Sequence, residues 1–146
     1  MIDRITGLLF FMRLAAALLL AGVVALLLAG CASNPKVLPS SGPHPPTTAD
    51  QVQIYQTAPS EYEVIDVVYA PITADTHWDD QGNADKGFDK LKADAAAVGA
   101  NGLLLTAPPN SADLAVIAGY HGMMYKVPIR SQPKAAVCQA IWVVKQ

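Results

Sequence analysis

The chain is poor in charge, in cysteine and in aromatic residues. Only 15% of its 146 residues are Asp, Glu, Lys or Arg, two are cysteines and 7% are aromatic. From Cys31 onward eight basic residues face eleven acidic ones, so the basic footprint that a nucleic-acid binder needs is missing. Two cysteines cannot form a disulfide framework. No Gly-x-Ser-x-Gly elbow, phosphate loop or dinucleotide fingerprint occurs, and no Cys/His pair reads as a nucleophile and its base. These absences point away from an enzyme. They call for no cofactor.

The apolar residues are concentrated at the N-terminus. Arg4 and Arg13 precede Leu14–Leu28, an apolar run of 15 residues that ends in Ala29-Gly30-Cys31. A spanning helix needs about 20 residues, so this run has the length of a signal-peptide core. A retained helix would have to reach back to Leu8 and place Arg13 inside the apolar span, which is costly.

Leu28-Ala29-Gly30-Cys31 resembles the bacterial lipobox. The resemblance implies diacylglyceryl transfer to the Cys31 sulfur, cleavage between Gly30 and Cys31, and acylation of the new amine with palmitate-like chains. Two or more chains anchor stably where one does not. Ala32-Ser33 lacks the aspartate that retains such lipoproteins in the inner membrane, so the implied address is the outer membrane, with the domain in the periplasm. The sequence then divides into a signal peptide (1–30), a lipidated cysteine with a disordered proline-rich tether (31–50) and a folded domain (51–146). The tether carries Pro35, Pro39, Pro43, Pro45 and Pro46 and reads as an extended spacer. His44 within it is expected to be solvated. With Cys31 acylated, Cys138 is left as a lone thiol in an apolar run and is expected to be buried.

Within the domain, Val52–Tyr55 and Tyr62–Tyr69 read as strands. Ala84–Ala100 reads as a helix whose apolar stripe is Phe88, Leu91, Ala95 and Val98, with Gly102 suited to a left-handed position after it. Leu103–Thr106 reads as a buried strand and Ala136–Lys145 as the closing strand. Leu114–Lys126 is one weak strand or two, and Pro128 and Pro133 bound a loop. The expected fold is α+β: a small, mostly antiparallel sheet of about five strands with one main helix on one face.

The run from Lys92 to Leu105, with its Ala-rich helix end, Gly99-Ala100-Asn101 and a buried apolar strand, resembles a pattern in small bacterial envelope domains. These include the YbjQ-like domains and the outer-membrane sensor lipoprotein of the Rcs stress pathway. That sensor carries disulfide-paired cysteines where this chain offers only Cys138. The resemblance implies a non-enzymatic lipoprotein whose domain binds another envelope component, most simply a protein.

Two regions offer candidate contacts. Asp75, His77, Asp79 and Asp80 form a dense polar cluster with the donor types for a divalent cation or small ligand, although the EF-hand spacing is absent. Trp78 in that loop, together with Tyr120 and Tyr125, is expected to contact a partner, while Trp142 is expected in the core. His121 reads as a structural residue.

Overall fold

The structure is a computed structural model that describes residues 34–73, 78 and 81–146. Signal peptide, Gly30, Cys31 and the acidic cluster at Asp75, His77, Asp79 and Asp80 lie outside the described residues. Among the described residues no helix is long and apolar enough to cross a membrane.

The described chain forms one helix and a mixed sheet of seven strands. The strands are β1 (Lys36–Leu38), β2 (Gln53–Tyr55), β3 (Glu61–Pro71), β4 (Gly102–Leu104), β5 (Leu114–Tyr120), β6 (Met123–Ser131) and β7 (Lys134–Lys145); helix α1 spans Gln81–Ala97, and a short 3-10 turn covers Ala49–Gln51. β7 is the spine of the sheet. One of its edges pairs antiparallel with the whole of β3. Its other edge is shared, by β6 at Lys134–Ala136 and by β4 at Gln139–Ile141.

The sheet is less antiparallel than expected, because β1 pairs parallel with β3 and β2 pairs parallel with β4. The physical reason is connectivity. Parallel pairing needs a long crossover, and β3 with α1 supplies it between β2 and β4. The strand Lys36–Leu38 was hidden from the sequence because it is three residues long and sits between two prolines. Its Lys36 amide donates to the Ser60 carbonyl at 2.8 Å, which starts its pairing with β3.

Residues 34–50, expected in the tether, lie in the same compact unit as the rest of the described chain. One correction concerns the prolines. Pro128 lies inside β6, next to the point where β6 leaves β7, so its missing N–H is not needed there. Pro133 occupies the tight turn into β7.

Helix α1 begins and ends about three residues earlier than expected. Of its expected apolar stripe Phe88, Leu91 and Ala95 are fully buried against the sheet, joined by Ala84, whereas Val98 lies just past the helix end and is half-buried. The helix ends in a Schellman arrangement, with the Ala100 amide on the Ala95 carbonyl at 3.0 Å and the Gly99 amide on the Ala96 carbonyl at 2.9 Å. Gly99, not Gly102, takes the left-handed conformation, with φ of 81°. Gly102 is needed for another reason. A methyl group there would meet Ile141, Tyr55 and Val143 at 2.9–3.1 Å.

Asn101 completes the Gly-Ala-Asn motif. Its side chain accepts from the Val143 amide at 2.7 Å and donates to the Val143 carbonyl at 3.2 Å. The carboxamide thus extends the β4–β7 ladder by one more pair. The main core lies between α1 and the sheet, and a smaller cluster of Tyr62, Leu104 and Ile141 lies apart from it. Among the described residues no buried member of either cluster precedes Val52.

β5 and β6 form a hairpin closed by His121-Gly122, both at positive φ (49° and 80°). That is the geometry of a two-residue turn matched to the twist of the strands. The weakly read Leu114–Lys126 stretch is therefore two strands. One face of the hairpin buries Ala118, Tyr120, Val127 and Ile129 toward α1.

Candidate functional site

Two features stand apart from the core. The first is a cluster at the end of the sheet, where α1 stops. Glu63 on β3 is opposite Trp142 on β7. A glutamate flanked by Tyr62 and Val64 and set opposite Trp142 requires partners if it is buried. It is 5% exposed, and among the described residues its side-chain partners come from the proline-rich segment. The Ser41 amide donates to Glu63 Oε2 at 3.0 Å and the Ser41 hydroxyl at 3.2 Å, and His44 Nε2 lies 3.0 Å from the same oxygen. The His44 ring lies flat on the Trp142 indole, 4.3 Å between centroids and 11° between planes.

His44 was expected in solvent, but its side chain is only 10% exposed. Trp142 is half-buried beneath it rather than deep in the core. The Ser41 backbone amide, with the Ser41 hydroxyl and His44, holds the Glu63 carboxyl below its ordinary range against the opposing effect of burial.

Serine, histidine and glutamate meet here without forming a nucleophilic triad. Ser41 gives its proton to the carboxylate directly, so the imidazole is not placed to receive it. The arrangement can clasp a chain segment; it does not activate a hydroxyl. Further along the segment, Thr47 Oγ1 donates to the Ala100 carbonyl at 2.5 Å, capping the C-terminal end of α1. Gly99 lies under this crossing: a methyl group there would come within 3.1 Å of the His44 carbonyl oxygen.

The second feature is the β5–β6 hairpin. Ile117 and Met124 lie on its outer face at 58% and 61% exposure. Leu114 and Met123 are similarly exposed, at 57% and 58%. Among the described residues β5 pairs only with β6, which leaves its other edge without a strand partner, and it carries no charged residue. A groove of about 340 Å³ beside the hairpin tip includes Asp50, Gln53, Lys92, His121 and Met123. Another, of about 550 Å³, lies between Asn110–Asp113 and Arg130–Gln132. Among the described residues no three His, Cys, Asp or Glu side chains group as metal ligands do.

The expected contact aromatics are placed differently. Trp78 is 3% exposed and meets Phe88 edge-on at 5.0 Å. Tyr120 is 7% exposed, packs 4.8 Å from Phe88, and donates its hydroxyl to Asp89 at 2.8 Å. Tyr125 is half-buried, 5.4 Å from the same ring. The structure therefore brings Trp78, Tyr120 and Tyr125 together around Phe88, as core rather than as a partner surface. Trp78 fits because Gly87 gives it room: any Cβ at 87 would lie 2.5 Å from its ring. His121 is exposed at the hairpin turn.

Cys138 is fully buried, and desolvation pushes its thiol up to about 12. Sequence reasoning missed Glu63 and its clasp. The available signal was Glu63 itself, an acid on the helix-facing side of a strand.

Comparison with protein-family models, curated proteins and solved structures gave no match.

Proposed function

We propose that this chain is a lipid-anchored envelope lipoprotein of the outer membrane whose periplasmic domain acts by binding another protein, without catalysis. The anchor reading is carried by Leu28-Ala29-Gly30-Cys31, placed directly after a 15-residue apolar run and two arginines. Binding is supported by the hairpin β5–β6. Ile117 and Met124 are diagonal neighbours on its outer face, both exposed, and adjoining exposed apolar side chains rimmed by polar ones mark interaction sites. An uncharged strand edge beside them, without a strand partner among the described residues, offers backbone groups to a partner strand.

The contact surface of this reading is the hairpin, in place of Trp78 and Tyr120. A photo-crosslinking residue at Ile117 or Met124, in cells making the full chain, should capture one protein repeatedly. The same residue at the exposed Asp66 should not. Equal capture at all three positions, or only abundant bystanders, would overturn the binding surface.

A further inference from the structure

Segment 34–48 is attached in a particular way. It covers the part of the sheet that α1 leaves bare, yet neither core cluster has a buried member within it. Among the described residues its polar attachments to the body are few: Ser41 and His44 on Glu63, Thr47 on the end of α1, and the three-residue strand β1 at the sheet edge. Val37 in that strand is 56% exposed. The five prolines give no backbone donors. They also narrow the conformations of the free segment, which lowers the entropy lost when it docks. Such an element is preorganised to dock and lightly held. Its opening need not disturb the core beneath it.

We propose that residues 34–48 form a releasable strap, docked across Glu63, Trp142 and the C-terminal end of α1. The consequence for reach rests on the anchoring at Cys31 proposed above. With the strap docked, only Ala32 and Ser33 separate Cys31 from the packed chain. Released, its fifteen residues, at roughly 3.1 Å each when extended, add about 45 Å to the link. Release also bares the Glu63 carboxylate beside the Trp142 indole.

The test uses the full mature chain in phosphatidylethanolamine vesicles, with two readouts. One is hydrogen exchange at the Ser41 amide, and the other is tryptic cleavage after Lys36, which frees the body from the vesicle. The Ser41 amide should exchange at least tenfold slower than in a free peptide and at least a hundredfold faster than the Val137 amide in β7. His44→Ala and Glu63→Ala should each raise cleavage after Lys36 at least tenfold while β7 exchange stays unchanged. If Glu63→Ala disturbs β7, His44→Ala, which lies outside both core clusters, decides.

Ser41 protection equal to that of Val137 would make the segment an integral part of the fold and overturn the proposal. So would free exchange at Ser41 in the unaltered protein, or cleavage rates within twofold in the variants. The mass of the N-terminal peptide separately reports whether Cys31 is acylated, so a failed anchor and a failed strap give different results.

Discussion

Replacing Asn101 with alanine tests the account of the Gly-Ala-Asn turn. The side chain makes two hydrogen bonds to the backbone of Val143, at 2.7 and 3.2 Å, in a part-buried position. A typical intramolecular hydrogen bond contributes about 1 kcal/mol net, and more is lost when a buried partner stays unpaired. Water can reach this site in part, so the two bonds together should contribute about 2 kcal/mol. For a body of this size that corresponds to a fall in Tm of roughly 10 °C. Urea unfolding followed by tryptophan fluorescence gives the free-energy difference directly. Asn101→Asp keeps the acceptor for the Val143 amide but sets a carboxylate against the Val143 carbonyl. It should be at least as unstable at pH 7, and should recover as acid protonates the new group and restores a donor. If Asn101→Ala lies within about 0.5 kcal/mol of the parent, the side chain does not extend the ladder and the reasoning fails.

Two further outcomes follow from buried or clasped groups. With the Cys138 thiol pushed up to about 12, the reactive thiolate is scarce at pH 8, so iodoacetamide should leave the native protein unlabelled and label it fully in urea; rapid labelling without denaturant would contradict the burial. Glu63 is held below its ordinary pKa, so its folded-state stabilisation is present above the unfolded value, near 4.3, and is lost as pH falls through the lower folded value. The titratable partner facing it is His44; Trp142 and the end of α1 bring no charge. Protection of the Ser41 amide should therefore disappear below about pH 4 before β7 opens, and protection that persists to pH 2 would refute the clasp.

The sequence revealed the parts of the fold that rest on local pattern. The stripe from Phe88 to Ala95 is spaced for a helix, and the β-branched run before Pro71 is long enough to read as a strand. What escaped depended on distant partners. Lys36–Leu38 becomes a strand only because the edge of β3 is free to receive it. Trp78 looks exposed among aspartates, but Gly87 and Phe88, on the helix that follows, make a place for it. Tyr120 and Tyr125 share a hairpin face that curls onto α1, which alternation alone could not assign to one side or the other. The proposed anchor rests on a contiguous stretch, Leu28-Ala29-Gly30-Cys31, that resembles a lipobox. The Glu63 clasp was not legible in the sequence, because its members come from a proline-rich segment that reads as spacer and from two strands far apart in sequence.

The claim on which the functional reading depends is the acylation of Cys31. Cells grown with labelled palmitate should yield a labelled protein whose N-terminal peptide begins at Cys31 and carries the mass of its acyl chains. Changing Cys31→Ala should abolish the label and leave residues 1–30 attached. Label that survives that change, or an unmodified protein retaining residues 1–30 in the parent, would contradict the account.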